Sequence, residues 1–322
     1  MRRYGPALLL SVLLSACSSA PFIATDTRAQ LSDHRQLDVP FIAQQDYYCG
    51  PAAIASIARY RQLDTDQQRV ASMSFLPGRR GSLTPEMQAA SRQLGLMPYP
   101  LAPRFGDLLR ELDAGNPVLV LQNQGLSWLP QWHYAVAIGY DLPTQTLYLH
   151  SGEQRNYALN FATFNATWAR ADHWARVLVD STGLPATATA LSYLRSANAF
   201  EETGQAAIAA AFYQRASQHW PEHAASWLAR GNLAYANGEP DNASRFYRRA
   251  LQQSPGNADL WNNYAYSLAA RQCANAARVA IARAVALAPN NDNIAASQHE
   301  LAQSPSGGLC DADTAFIDSV TR

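Results

Sequence analysis

The sequence predicts an α+β domain followed by an all-α region of helical repeats. Between residues 36 and 180, helical patterns come first and strand patterns come later, which is typical of an α+β layout. A linker rich in Thr, Pro and Ala follows at 181–189, and beyond it the composition shifts to alanine-rich helix with a period of 34 residues. The length of 322 residues agrees with more than one domain.

The first domain contains several recognisable elements. Thr84 and Glu86 predict the cap and first turn of a helix that ends at Gly95, and a second short helix is predicted at 107–113. Strands are predicted from their apolar, β-prone runs at 117–122, 133–140, 145–150 and 174–180.

The second region repeats aromatic, alanine and proline residues at fixed positions. The residues that share a position are Tyr193, Trp227 and Trp261; Ala209, Ala243 and Ala277; Ala216, Ala250 and Ala284; and Pro221, Pro255 and Pro289. Bulky aromatics at one position, small residues where helices approach and proline at a turn describe a helix–turn–helix unit. This pattern resembles the tetratricopeptide repeat.

Three repeats are predicted at 190–223, 224–257 and 258–291, followed by a capping helix that ends near residue 302 and a tail at 303–322. Because stacked repeats form a concave groove, the resemblance implies that this region binds a protein partner. The recurring tryptophans are expected to pack between helices and not to contact a ligand.

Cys49 is the most informative single residue. It lies in the run QQDYYCGPAA (44–53), after which apolar residues follow at helical spacing. Because proline is tolerated in the first turn of a helix, Pro51 predicts that Cys49 lies at a helix N-terminus. There the helix dipole and unpaired N–H groups favour a thiolate, which is the nucleophilic form of cysteine. Gln44 is an amide donor suited to an oxyanion.

His133 is the candidate general base. It begins the run HYAVAIGY (133–140), which is typical of a buried strand. A histidine at the start of such a strand is placed to accept the proton of a thiol at a helix N-terminus. A structural histidine at a sheet edge, and an inert buried thiol at Cys49, are the alternatives that these residues leave open.

Gln44, the Cys49-Gly50-Pro51 run and the His133-Tyr134 pair resemble the bacteriocin-processing, double-glycine-leader type of cysteine peptidase, a branch of the papain-like enzymes. The resemblance covers residues 36–180. It also includes three further segments, LDVP (37–40), GNPVLV (115–120) and the aromatic pair Phe164 and Trp168.

This resemblance implies a papain-like α+β fold with three catalytic roles. Cys49 would be the nucleophile, His133 the general base, and Gln44 the donor that holds the oxyanion. LDVP resembles the short strand before the catalytic glutamine, and GNPVLV resembles the strand before the histidine. No cofactor is implied.

The third catalytic position departs from the family. That type places an aspartate on the strand after the histidine, whereas here the strand ends in His150-Ser151-Gly152 without a carboxylate. We assign the role to His150, and Ser151 or a backbone carbonyl is the alternative. Asp141 follows the preceding strand at its far end. The third residue orients the imidazole and does not itself react, so the loss of the aspartate is compatible with activity.

The predicted function is therefore hydrolysis of a peptide or protein substrate by a cysteine peptidase, with repeats that recruit substrate or partner. One alternative is a degenerate binding module with a repeat scaffold, which the missing aspartate motivates. Another is a cell-wall peptide amidase, since some of these use a histidine as third member, as His150 would be. Against it, Gly50 and Pro51 stand where such amidases have serine and glycine.

The N-terminus predicts export. Residues 1–16 combine a basic start, a short apolar stretch and small residues, which is typical of a signal peptide. The run Leu14-Ser15-Ala16-Cys17 resembles the bacterial lipobox, which implies that Cys17 carries lipid; ordinary cleavage that leaves a free cysteine is the alternative. Residues 17–35 would be a tether. Since Ser18 follows the cysteine, the resemblance implies the outer membrane, facing the periplasm.

The remaining cysteines and the charges complete the prediction. In an oxidising compartment, Cys273 and Cys310 are expected to form a disulfide. The chain has 25 Lys and Arg residues against 25 Asp and Glu residues and no basic stripe, so nucleic acid is not an expected partner. No metal site is predicted, because the histidines and cysteines lack zinc-site spacings.

Overall fold

The computed structural model describes residues 21–76, 81–303 and 310–321. Its first part is an antiparallel sheet with helices packed against it. The elements of this part, in chain order, are α1 (Thr25–Gln30), β1 (His34–Gln36), α2 (Cys49–Tyr60), α3 (Gln67–Ser74), α4 (Thr84–Gln93), β2 (Met97–Pro100), α5 (Phe105–Asp113), β3 (Val118–Asn123), β4 (Trp132–Asp141), β5 (Thr146–Ser151), β6 (Gln154–Asn160), α6 (Phe161–Ala169) and β7 (Ala175–Val179).

The sheet is ordered β2-β7-β3-β4-β5-β6, and β1 also pairs with β4 beyond the end of β3. The long strand β4 is therefore central, and its residues from Tyr134 to Tyr140 are buried. The helix α2 packs against this strand, with Ile54 and Ile57 fully buried. This contact holds the N-terminus of α2 near the start of β4 and so positions the site described below.

The second part is a row of antiparallel helices. They are α7 (Ala190–Glu202), α8 (Ala206–His219), α9 (Ala224–Ala236), α10 (Pro240–Gln253), α11 (Ala258–Ala270), α12 (Ala274–Leu287), α13 (Asp292–Ala302) and α14 (Asp311–Thr321). Three helix pairs and α13 occupy the three predicted repeats and the capping helix. The predicted fold class, an α+β domain followed by an all-α repeat region, is confirmed.

The repeat positions are filled as the sequence predicts. The indole Nε1 of Trp227 donates to the carbonyl oxygen of Pro221 at 2.6 Å, and that of Trp261 donates to Pro255 at 2.8 Å. Trp261 is fully buried and Trp227 is partly buried. These matching bonds show that the second and third repeats share the same local structure, whereas in the first repeat the Tyr193 hydroxyl donates to the Gly183 carbonyl at 3.3 Å.

Some elements differ from the sequence prediction. The short strand expected at 37–40 lies at His34–Gln36, although the backbone N–H of Leu37 still donates to Ile138. Strand β6 was not predicted, because most of its side chains are exposed and it lacks an apolar alternation. Helix α14 in the tail was also not predicted. The cap residue of α4 is Leu83 and not Thr84, and its side chain makes no cap hydrogen bond.

The segment between the two parts is fixed and is not a free linker. The buried carboxylate of Glu111 accepts hydrogen bonds from the backbone N–H of Ala186 (3.0 Å) and Thr187 (2.7 Å) and from the Thr187 hydroxyl (2.6 Å). The Tyr99 hydroxyl lies 2.8 Å from the Ser192 hydroxyl of α7. Hydrophobic residues of both parts belong to one core cluster, so the first repeat continues the core of the sheet domain.

The structure joins Cys273 and Cys310 in a disulfide with a Cα–Cα distance of 5.7 Å, which ties α14 to the start of α12. Asp313 lies beside the bridge and receives hydrogen bonds from Tyr264 (2.7 Å) and Arg271 (2.8 Å). Cys17 lies outside the described residues. Within the described part of the chain, we find no helix with the length and apolar character that a membrane span requires.

Candidate active site

Cys49 is the first residue of α2 and is partly buried. A small cavity of about 10 Å³ opens beside it, roughly the space of one water molecule. The residues that line this cavity are Phe41, Ile42, Gln44, Cys49, Ala52, Ala53, Ser56, Tyr134, Val136, His150 and Gly152. The structure thus brings Cys49 and Gln44 to one cavity, as the sequence predicted.

The surroundings of the Cys49 thiol favour its neutral form. Burial raises the pKa of Cys49, and hydrogen bonds from the backbone of Tyr134, Gly50 and Cys49 itself lower it by less. The helix N-terminus therefore supports a thiolate, as expected from the sequence, but burial outweighs it. The contact with the Tyr134 backbone places the sulfur against β4, one residue from His133.

His133 lies at the start of β4 and is held by a serine. Its Nε2 lies 2.9 Å from the Oγ of Ser151. Ser151 pairs with Ala135 across β4 and β5, and Ala135 is on the same face of β4 as His133. With Nε2 bonded to the hydroxyl, Nδ1 is the ring nitrogen that remains to accept a proton. Burial lowers the pKa of His133, so its neutral form is also favoured.

Gln44 and His133 meet at Gly152. The backbone N–H of Gln44 donates to the Gly152 carbonyl at 3.2 Å. A Cβ atom on Gly152 would lie 3.8 Å from both Gln44 Oε1 and His133 Cε1, and its φ of +64° suits glycine. The Oε1 atom of Gln44 is buried without a hydrogen-bond partner in the described structure. A buried amide with an unused polar atom is available to a ligand.

The structure does not bring His150 to the His133 ring. The Nε2 of His150 lies 2.9 Å from the Val39 carbonyl oxygen, and its Nδ1 accepts from the Asn156 N–H at 3.3 Å. Both ring nitrogens are therefore occupied by backbone groups. The physical reason is strand alternation, since neighbouring residues of β5 point to opposite faces and only one of them can face His133. That residue is Ser151, which the sequence had left as an alternative.

In the described residues, no hydrogen bond joins the Cys49 thiol directly to His133. The two shifted pKa values agree with this, since both groups are neutral and no ion pair is formed. Catalytic hydrogen bonds are often loose without substrate and tighten in the complex. The sequence did not predict that the backbone of Tyr134 contacts the Cys49 sulfur, or that a turn at Gly152 lies beside Gln44 and His133. A glycine directly after a strand was the available signal for the turn.

Comparison with known proteins places both parts of the chain. Residues 36–175 match the Peptidase_C39 like family, and residues 224–267 match the tetratricopeptide repeat. The chain contains a peptidase C39-like domain followed by a tetratricopeptide repeat. No curated protein matches the chain.

Solved structures resemble each part. A putative C39-like peptidase from Bacillus anthracis is 18% identical to the C39-like part, with a TM-score of 0.39, and the match covers 46% of this chain and 98% of that one. The second TPR domain of human RPAP3, in complex with an HSP70 peptide, is 15% identical with a TM-score of 0.34. That match covers 35% of this chain and 95% of the other.

Proposed function

We propose that the protein is a lipid-anchored cysteine peptidase of the bacterial cell envelope, with tetratricopeptide repeats that recruit its substrate or a partner protein. The observation that carries the proposal is the convergence at Gly152. Gln44 and Cys49 line the cavity beside this glycine. A Cβ atom built on Gly152 would lie 3.8 Å from both Gln44 Oε1 and His133 Cε1.

The proposed reaction begins with transfer of the Cys49 proton to Nδ1 of His133. The thiolate attacks the carbonyl carbon of a peptide bond, and the side-chain amide of Gln44 with the backbone N–H of Cys49 stabilises the oxyanion. His133 then gives its proton to the leaving amine as the thioester forms. Water, deprotonated by His133, hydrolyses the thioester and restores the thiol.

The proton transfer would take place only as substrate reacts. Because the pKa of Cys49 is raised and that of His133 is lowered, both shifts favour the neutral thiol and imidazole. Ser151 offers His133 a neutral hydrogen-bond partner where a carboxylate would stabilise the imidazolium. His133 would thus act as a general base and not as one half of a standing ion pair.

The neutral pair also favours one alternative, a binding module without catalysis. A thiol kept neutral by burial is what an inert cysteine shows. The wall-amidase alternative depended on His150 as the third catalytic residue. It is less well supported than the other two, because both nitrogens of His150 are bonded to backbone groups. The choice is therefore between a peptidase and a binding module.

The anchoring part of the proposal depends on Cys17 and the lipobox resemblance. Lipid on Cys17 would hold the protein at the outer membrane, facing the periplasm. Nucleic acid is not a proposed partner, since the charges balance. The repeats would supply protein contacts, for which the concave side of stacked helices provides the surface.

Peptide cleavage and thiol alkylation test the proposal together. We expect the protein to cleave members of a mixed peptide library, as read by mass spectrometry, and Cys49→Ala to abolish cleavage. His133→Ala should lower the cleavage rate by roughly 100- to 10,000-fold, the usual contribution of a general base. Iodoacetamide labelling of Cys49 should also slow in His133→Ala, because His133 would accept the thiol proton as the sulfur attacks the reagent.

The matched control is Cys49→Ala, whose thermal melting should stay close to that of the unchanged protein. If no peptide is cleaved and His133→Ala leaves the labelling rate unaltered, the peptidase assignment fails. The binding-module reading then stands.

A further inference from the structure

The loop between β3 and β4 and the first residue of β4 together display four large apolar side chains to solvent. Leu126 is 56% exposed, Trp128 79%, Leu129 59% and Trp132 56%. We call these four residues the apolar tip. Exposed apolar residues are ordinary when scattered, but a cluster of four within seven positions indicates a contact surface.

The tip is held in place by its own hydrogen bonds. The buried side chain of Asn123 accepts from the backbone N–H of Gly125 (3.0 Å) and Gln131 (2.9 Å). Within the loop, the N–H of Leu129 donates to Leu126 at 3.1 Å. Arg170, after the end of α6, donates to the Asn123 carbonyl at 3.1 Å. The loop therefore keeps its apolar side chains exposed and cannot easily fold them back.

The tip carries no charge of its own. Between Asp113 and Asp141 the sequence contains no Asp, Glu, Lys or Arg. Tryptophan and leucine without charged neighbours are the composition that favours the interface between lipid headgroups and acyl chains. The exposed polar residues of this loop, Gln124, Ser127 and Gln131, are uncharged and so offer a protein partner no ion pair.

The described chain starts at the same end of the sheet as the tip. Asp113, at the end of α5, accepts a hydrogen bond from Tyr140 at the far end of β4 (2.7 Å). Gly106, at the start of α5, lies against Thr27 of α1. Pro21 and Phe22 line a cavity with His173, which precedes Trp174. The Trp174 carbonyl accepts from Leu121, the β3 partner of Tyr134, so the first described residues lie near the end of β4 that carries His133.

Helix α6 links the first described residues to the tip. Phe22 and Asn165 of α6 line one open cavity. From there α6 runs on towards Arg170, which bonds the base of the tip. The first described residues and the tip are thus both neighbours of this short helix.

We propose that the apolar tip inserts into the surface of the lipid bilayer. Cys17 precedes Pro21 by four residues, a distance of at most about 14 Å when extended. Lipid on Cys17, which is part of the proposed function, would hold this end of the domain at the membrane. The tip would then supply the second attachment that a stable anchor requires. His133 follows the tip directly, so the active site would face the bilayer surface.

A substrate peptide is the competing occupant of the tip. Peptide side chains bind in concave pockets. None of the four tip residues lines the cavity beside Cys49, whose walls come from α2, β4, β5, Gly152 and residues 41–44. A protruding, uncharged loop needs no complementary pocket in order to enter a fluid bilayer, and the observations therefore favour lipid.

The test uses the protein of residues 18–322, which contains every described element and lacks Cys17. Vesicles of phosphatidylethanolamine and phosphatidylglycerol are sedimented with it, and the bound fraction is measured. We expect the unchanged protein to bind. The double variant Trp128→Ser, Leu129→Ser should bind at least roughly tenfold more weakly, because it loses apolar area that would be buried in the bilayer. Brominated lipid should quench less fluorescence in Trp128→Phe than in the unchanged protein.

The matched control is Leu191→Ser, since Leu191 of α7 is 55% exposed, like Leu129, but lies on the repeats. It should leave vesicle binding unaltered. Equal binding by the unchanged protein and the double variant would overturn the proposal, as would no binding by either. A raised KM for a peptide, with vesicle binding unaltered, would assign the tip to substrate instead. Loss of self-association in the double variant would assign it to a second copy.

Failure of this proposal and failure of the proposed function are separable. Cys49→Ala should bind vesicles as the unchanged protein does, whether or not the protein is a peptidase. Lipid on Cys17 is tested independently by the mass of the N-terminal peptide from the membrane-extracted full chain.

Discussion

The candidate active site and the helical repeats are assembled in opposite ways. The candidate site combines distant segments: Gln44 and Cys49 line one cavity, and Ser151 of β5 bonds His133 of β4, only because α2 packs on β4 and β5 pairs beside it. In the second and third repeats, residues close in sequence make the same local bond, from Trp227 to Pro221 and from Trp261 to Pro255. Non-local assembly depends on one register, whereas local assembly depends on a pattern repeated several times.

This difference explains why the sequence predicted the repeats correctly but assigned His150, and not the adjacent Ser151, as the partner of His133. A one-residue change in strand position reverses the face on which a side chain lies. His150 and Ser151 are adjacent in sequence, yet one bonds Val39 and Asn156 while the other bonds His133. In a repeat, a similar ambiguity is removed by the corresponding residues of the other copies.

The largest effect on stability is expected at the Cys273–Cys310 disulfide, because it is a long-range link in a region otherwise built from short-range contacts. The bridge spans 37 residues, and closing a loop of that length in the unfolded chain is worth about 4 kcal/mol in the chain-entropy model. Cys310→Ser should lower the free energy of unfolding of the terminal helices by up to this amount. Urea unfolding followed by circular dichroism measures it.

Reducing agent provides the control for that prediction. It should lower the unfolding midpoint of the unchanged protein and leave Cys310→Ser where it is. An unchanged midpoint for the native protein in reducing agent would mean that the long-range bridge adds nothing to the local repeat contacts.

The next largest effect concerns the pH dependence of Cys49 alkylation at the active site. Ser151→Asp would put a carboxylate beside His133, and an opposite charge at that distance raises the pKa of an imidazole by about 1–3 units. A protonated His133 in turn favours the Cys49 thiolate. We therefore expect the pH profile of Cys49 alkylation to move towards acid, with faster labelling near pH ~6 than in the unchanged protein.

In the unchanged protein, the pKa shifts of Cys49 and His133 disfavour the thiolate. Burial raises the pKa of Cys49 and lowers that of His133, so labelling should increase only as pH rises into or above the ordinary thiol range. Ser151→Asn is the matched control, since it has nearly the shape of aspartate without its charge. A profile that shifts equally in both variants would contradict the electrostatic explanation.

The smallest effect concerns packing within a repeat. A Cβ atom on Gly231 of α9 would lie 2.5 Å from Cε1 of Tyr247 in α10, too close for any real contact. Gly231→Ala should therefore destabilise the protein by about 1–2 kcal/mol, because overpacking exceeds the gain in helix propensity. Thermal melting with and without the substitution measures this.

Gly256→Ala is the control for Gly231→Ala, because no atom lies within 4 Å of a Cβ built there. It should change the free energy of unfolding by no more than about 0.5 kcal/mol. Equal losses of stability at the two glycines would show that the close approach of α9 and α10 at Gly231 is not the cause of the destabilisation.

Much of the fold followed from the sequence because its signals are local or repeated. The 34-residue period predicted the repeats, and apolar runs predicted β3, β4, β5 and β7 to within a residue or two. Strand β6 and helix α14 escaped because their stability comes from their neighbours. One lies at an exposed sheet edge with no apolar alternation, and the other is held by the disulfide and Asp313.

Residue chemistry alone selected Cys49, His133 and Gln44 as a candidate site, since a thiol at a helix start, a base at a strand start and an amide donor suit one reaction. Only the tertiary structure decided that Ser151, not His150, bonds His133. It also decided that Cys49 and His133 favour their neutral forms. The reason is that hydrogen-bond partners and desolvation depend on strand register and burial, which a linear sequence does not contain.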